Sequence, residues 1–260
     1  MTAATAVAET FDPAATTGLP EPARRWLSHA IAPGTPLWSR AELAMHGQIK
    51  LGRWRPFTAH QVLTPPDGYL WAARTRLAGL PVTGYDRLGL GSGEMHWRLL
   101  RLIPVLNESG SDVTHSACGR LAGEIALIPT AYRHATWSRG EYANTAVATW
   151  QFGDDTETAE LRIARNGRLA EVRVNRWGNP GGAPFGRYPF GVRVDGESRF
   201  GGITIPTVFR AAWGENEFFR AEITGAVFSL GDTDEHGAGQ RPGVRAPGRR
   251  HDGRDPRGQA

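Results

Sequence analysis

From Ala41 onward the chain repeats one pattern far more often than any other: a short run of alternating apolar and polar residues, ended by turn-forming residues. The clearest run places Ala41, Leu43, Met45, Gly47, Ile49 and Leu51 on one face and Glu42, His46, Gln48 and Lys50 on the other. Period two over that length is the signature of a half-buried antiparallel strand. Similar runs occupy residues 57–63, 69–77, 82–88, 94–101, 144–152, 161–165, 168–174, 192–199, 203–213 and 218–230, about eleven strands in all. Asn166-Gly167 between two of them predicts a type I′ hairpin, and Pro206 predicts an edge or a bulge. The 33 glycines and 18 prolines, about a fifth of the chain, suit many short elements joined by turns and disfavour a helical bundle.

Helical spacing appears twice. Ala23, Trp26, Leu27, Ala30 and Ile31 recur at three and four residues behind Pro20 and Pro22, and Ala117, Leu121, Glu124, Ile125 and Ile128 share a face in a helix expected over 114–127. Thr114 or Ser116 is the expected N-cap of the second, and Pro129 ends it. About eleven strands at ~4.8 Å spacing make a sheet roughly 50 Å wide, whereas two helices about 10 Å across shield only ~20 Å of it. The apolar face must therefore hide against itself. The expected fold is mostly β (α+β), a curved antiparallel sheet forming a half-barrel or barrel, with the two short helices plugging or lidding its mouth.

A barrel of that size tends to enclose a cavity. Trp71, Trp97, Trp150, Phe209 and Trp213 are the candidates to line it, either as a site for a hydrophobic small molecule or simply as filling. Residues 1–18 read as a loose leader, 19–230 as one curved-sheet domain, and 231–260 as a disordered tail of Gly, Arg, Asp and Pro. A single cysteine, Cys118, excludes an intramolecular disulfide framework. With no signal-peptide pattern at the start and no apolar window of membrane-spanning length, a cytoplasmic location without an integral membrane segment is expected.

The formal charge of +4 resides in the tail, where residues 241–260 carry six Arg and two Asp. The remainder balances, and along the sequence no folded segment gathers cations on one face, so no nucleic-acid partner is expected.

Several segments carry a family resemblance: Leu19 to Leu27, Gly84-Tyr85-Asp86-Arg87 with Gly91 to Met95, Arg120 to Glu124 with Pro129, Arg176-Trp177-Gly178, Tyr188 to Gly191, and Phe200 to Pro206. Over about Leu19 to Leu230 the chain resembles a bacterial domain-of-unknown-function family. The resemblance implies a curved sheet similar to the bacterial lipoprotein carriers that hold acyl chains in an open half-barrel. It brings no activity and no catalytic residues, and the chain departs from those exported carriers in lacking a signal peptide.

Among chemical candidates, Arg120 and Glu124 stand four apart on the second helix, either as a surface ion pair or pointing into the barrel mouth with Glu124 as a general base. Asp86 is a second carboxylate, either a turn cap or an acid–base group. Gly89 to Gly93 lacks both the dinucleotide and the Walker pattern, and no nucleophile elbow occurs. His46, His60 and His96 show no metal-ligand spacing, so neither metal nor cofactor is expected, and Cys118 is expected to be buried and inert. The favoured expectation is a binding module for a hydrophobic small molecule or lipid. The alternatives are a biosynthetic cyclase or isomerase using Glu124, Arg120 and Asp86, and an interaction scaffold with an Arg-rich arm.

Overall fold

A computed structural model describes residues 8–231. Helix α1 (Glu21–Ala30) begins with Pro22 in its first turn and buries Trp26, Leu27 and Ala30, each large apolar side chain gaining roughly 1.5–3 kcal/mol from burial. Six strands follow: β1 (Arg40–Leu51), β2 (Arg53–Thr64), β3 (Gly68–Leu77), β4 (Leu80–Gly89), β5 (Ser92–Leu99) and β6 (Ile103–Ser109). Helix α2 (Ser111–Gly123) and two 3-10 turns, Glu124–Leu127 and Pro129–His134, interrupt them. Seven more complete the fold: β7 (Thr136–Arg139), β8 (Thr145–Phe152), β9 (Asp155–Ile163), β10 (Leu169–Gly178), β11 (Gly186–Phe200), β12 (Ile203–Trp213) and β13 (Asn216–Ser229).

All thirteen strands form one sheet, in the order β6-β5-β4-β3-β2-β1-β13-β12-β11-β10-β9-β8-β7. Every pairing is antiparallel, and the first strand pairs with the last, from Arg40 opposite Ser229 to Ile49 opposite Phe219. The sheet is thus a meander whose two free edges, β6 and β7, lie in the middle of the sequence, and the segment containing α2 joins them. The sheet curves without closing. Its apolar face wraps a single core that takes in Trp26 and Leu27 of α1, Leu121 of α2, Ile125 and Ile128 beyond it, and Leu43, Leu63 and Leu161 of the sheet. Helix α2 packs on β5 at one side and on β9 and β10 at the other, so it lies inside the curl.

The mostly-β, curved and unclosed sheet matches the expectation, with thirteen strands instead of about eleven. The two extra strands are the edges. β7 is four residues long, too short for alternation to register, and β6 follows a hairpin turned by Leu100 and Arg101, whose φ of 53° and 64° are left-handed without a glycine to announce them. The expected strand 94–101 therefore stops at Leu99.

Other expectations need correction. The leader 1–18 is structured over its second half: Phe11 is 2% exposed and packs edge-on against Tyr132, Thr10 bridges Pro36, and Pro13–Thr16 form a 3-10 turn. One aromatic residue among small ones carried too little periodicity to reveal this. Residues 1–7 and, within the predicted tail, 232–260 lie outside the described residues. Neither Thr114 nor Ser116 caps α2, which starts three residues before Thr114 with Gly110 at the N-cap; the Thr114 hydroxyl instead accepts from the Gly93 N–H at 2.9 Å and donates to the Gly110 carbonyl at 2.9 Å. Asn166-Gly167 does not form a type I′ turn. Only Gly167 is left-handed (φ 88°), Gly167 N–H donates to Ala164 O and Ala164 N–H to Arg168 O, the three-residue loop with a glycine bulge. Pro206 is not on an edge strand: it faces Glu197 where the β11–β12 register shifts, and β13 pairs with β12 only from Val208 onward. That is the bulge alternative, where a missing N–H costs nothing.

Candidate functional site

Between α2 and the inner face of the sheet lies a cavity of about 590 Å³. Its apolar wall follows from period two: Phe57 on β2, Trp71 on β3 and Phe219 on β13 all point inward and meet, with ring centroids 5.8 Å apart for Phe57–Trp71 and 4.9 Å for Phe57–Phe219. Trp97 extends the wall 5.8 Å from Trp71, and Phe209 lies 6.3 Å from Phe219. Trp213 and Phe190 close the opposite side, 5.0 Å apart in a T-shaped pair.

Of the five predicted lining residues, Trp71, Trp97, Phe209 and Trp213 border the cavity. Trp150 does not. It is 1% exposed, stacked on Phe152, and belongs to the packed core on β8, where period two put it on the right face but could not say that helices fill that part of the curl.

The polar residues on the cavity wall come from both sides and meet. Asp86 stands mid-strand on β4, so it caps no turn, and Arg120 reaches across from α2 to bond its Oδ2 at 3.2 Å while its Nε bonds Glu124 Oε1 at 2.8 Å. Trp97 Nε1 donates to Asp86 Oδ1 at 2.9 Å, and Gln61 Nε2 to Glu124 Oε2 at 2.7 Å. The Arg120–Glu124 pair is therefore no surface ion pair. Two rings of β3 lie against the guanidinium, with Tyr69 centred 4.6 Å and Trp71 5.3 Å from its central carbon. Asp86, Arg120 and Glu124 thus come together as a hydrogen-bonded clamp between helix and sheet, each partner satisfying another, as buried charges require.

Burial pushes the Asp86 carboxyl above its usual range, although Arg120 and the Trp97 hydrogen bond oppose that shift. Burial likewise pushes the Tyr69 hydroxyl up to about 12. For Arg120 burial disfavours the charge, but Glu124, Tyr69 and Asp86 outweigh it and hold the guanidinium protonated above its ordinary range.

Arg176 on β10 is a site residue that sequence reasoning missed. It donates from Nε to the Ser116 carbonyl at 3.1 Å and from Nη2 to the Ser116 hydroxyl at 3.3 Å, and it sits over Phe190 and Trp213 at 5.0 and 5.2 Å. Burial lowers it to about 10, so it stays charged near neutrality. Unlike Arg120 it has no carboxylate within salt-bridge distance among the described residues. Its signal was legible: Val172, Val174 and Arg176 share one phase, as do Leu63 with Gln61 and Leu88 with Asp86, so a polar residue at an inward position marks the site in each case.

Elsewhere, His46 and His60 lie near each other on the outer face of β1 and β2, His96 is three strands from β2, and among the described residues no cluster of His, Cys, Asp or Glu could hold a metal. Cys118 is buried in α2, and burial, with Asp155 and Glu157 adding to it, pushes its thiol up to about 12. A thiol held that far from ionisation is a poor nucleophile. Gly89 to Gly93 is a plain hairpin, turned at Leu90 and Gly91 between β4 and β5.

A curved sheet around an apolar cavity, with a few convergent polar groups on its wall, defines a half-barrel of the cavity-bearing kind. Residues 9–221 match the model of DUF6544, a family of unknown function, and the chain belongs to that family. No curated protein matches the chain. Among solved structures it is similar to a DUF1329 family protein from Desulfovibrio piger, at 13% identity over 76% of this chain and 88% of the other, with a TM-score of 0.44. It is also similar to a LolA superfamily protein from Nitrosomonas europaea, at 9% identity over 81% and 92% of the two chains, with a TM-score of 0.43.

Proposed function

We propose that this protein binds a hydrophobic small molecule or lipid chain inside the half-barrel, in the cytoplasmic setting expected from its sequence. One observation carries the reading: the cavity of about 590 Å³ between α2 and the sheet, walled by Phe57, Trp71, Phe209, Trp213 and Phe219. That volume falls in the range of about 300–1,000 Å³ typical of ligand sites. A side-chain core packs far more tightly than this, so the aromatics do more than fill space. Arg176 and the Asp86–Arg120–Glu124 clamp supply the few polar groups that would orient the ligand's polar end, with Arg176 the cation left for an anionic group.

The test is direct. Purified full-length protein is examined by native mass spectrometry and solvent extraction, then stripped and titrated with a fluorescent long-chain fatty acid. Ala211 borders the cavity on β12, so Ala211→Trp should fill it and weaken that binding at least tenfold. A chain that carries nothing apolar and ignores the probe, or an Ala211→Trp variant that folds and binds as well as the parent, would refute the reading.

A further inference from the structure

The curled meander places the turns β1–β2, β3–β4 and β5–β6 side by side at one end of the sheet. Their sequences share an unusual composition. Residues 50–56 (Lys-Leu-Gly-Arg-Trp-Arg-Pro), 74–81 (Arg-Thr-Arg-Leu-Ala-Gly-Leu-Pro) and 97–106 (Trp-Arg-Leu-Leu-Arg-Leu-Ile-Pro-Val-Leu) hold Lys50, Arg53, Arg55, Arg74, Arg76, Arg98 and Arg101 and not one carboxylate. Among the described residues none of these seven cations lies in a salt bridge, whereas many of the other arginines do. Between the cations, large apolar side chains face solvent: Leu102 is 78% exposed, Ile103 54%, Leu80 44% and Leu100 43%.

Facing water is unfavourable for the leucines and Ile103, while the cations between them would be costly to bury in a dry contact. At the β5–β6 turn, Leu100 and Arg101 both adopt left-handed backbone without glycine, the positive φ that a tight hairpin requires at its two central residues. Of the other hairpin tips at the same end, β8–β9 carries Asp154 and Asp155, β12–β13 carries Glu215 and Glu217, and β10–β11 has no charged residue between Gly178 and Gly186. The molecule is therefore polarised, cationic and apolar on one flank of that end only. Leu51, Leu77 and Val105 of the three basic tips also border the cavity, so the cavity reaches the same end.

We infer that the β1–β2, β3–β4 and β5–β6 tips dock the protein onto an anionic lipid bilayer, with the leucines and Ile103 entering the headgroup region and the arginines engaging lipid phosphates. A cation ring around protruding aliphatic groups matches the charge and polarity profile of such an interface. Nucleic acid matches it poorly, because Leu102 and Ile103 would be left facing water beside a phosphate backbone. The surface does not depend on what the cavity holds.

The experiment is cosedimentation of the full chain with phosphatidylcholine vesicles containing or lacking phosphatidylglycerol, at low and high salt. The parent should bind the anionic vesicles and lose that binding in high salt. A triple Arg53→Gln, Arg76→Gln, Arg101→Gln variant should partition about a hundredfold more weakly, each cation near such a surface giving about fivefold. Leu102→Gln with Ile103→Gln should also reduce binding at least tenfold, and both sites are exposed enough that the melting temperature should not move. Ala211→Trp, which blocks the cavity, should bind vesicles normally, separating this inference from the cavity reading. The inference is overturned if the parent ignores anionic vesicles, if it prefers duplex DNA to them, or if the tip variants bind as the parent does. The last result would assign any lipid binding to the Arg-rich residues 241–260, which every variant retains.

Discussion

Asp86 shows how much one side chain at an inward position changes. On an outward position of β4 it would be a solvated carboxylate; facing the cavity, its charge is disfavoured by burial and favoured by Arg120 and the Trp97 N–H. Because burial raises its folded pKa above the usual 3.8, the fold binds its proton more tightly than the unfolded chain does. The associated stability is fully present below the unfolded value and is lost as pH rises through the folded one. Asp86→Asn removes that loss, so its stability relative to the parent should increase as pH rises through this window and then level off. Urea unfolding of both proteins between pH 3 and 8 measures it. A relative stability that instead falls with rising pH would mean that Arg120 and Trp97 over-compensate burial.

At the scale of elements, α2 decides whether there is a site. It supplies Arg120 directly, it fixes Arg176 through the Ser116 carbonyl and hydroxyl, and the turn that follows it supplies Glu124. Its first turn is seated on β5 at Gly93, where a Cβ would come within 2.8 Å of Thr114 Cα and of the Val113 carbonyl oxygen. Both are backbone atoms and cannot swing aside. Gly93→Ala should therefore destabilise by about 1–3 kcal/mol, the usual cost of forced overpacking, and should loosen the Trp97–Asp86–Arg120 contacts along with the helix. Chemical denaturation gives the first effect and loss of fatty-acid affinity the second. An alanine variant as stable as the parent would show that α2 is not held at this point.

The whole described sheet is a meander with its first and last strands at the centre and its free edges in mid-chain. β1 is paired along its length on both sides, by β2 and β13, whereas β6 is mostly exposed and β7 is only four residues long. Short edges and Pro104 within β6 discourage pairing with another chain. Local opening should begin there. Hydrogen exchange followed by mass spectrometry should show the amides of Ile103–Ser109 and Thr136–Arg139 exchanging well before those of Arg40–Leu51; equal protection would mean that α2 locks the edges as firmly as pairing locks the centre.

Most of the strands and both helices were legible in the sequence because period two and period 3.6 are relations between near neighbours, and they survive whatever the rest of the chain does. The shortage of helical cover was legible for the same reason, and with it the curl and the cavity. Legibility failed where the deciding partner is remote: Trp150 reads like Trp71 until helices fill one part of the curl and leave another open, and Phe11 reads as leader until Tyr132 meets it. Charge behaves the same way. Between the leader and the tail the cations look balanced by carboxylates, yet a meander brings every second turn to one end, and seven cations from three separate segments become one surface. Alternation is written residue by residue and so belongs to the sequence; the meeting of Asp86 with Arg120, and of one hairpin tip with the next, depends on chain segments tens of residues apart being folded onto each other, and only the tertiary structure decides it.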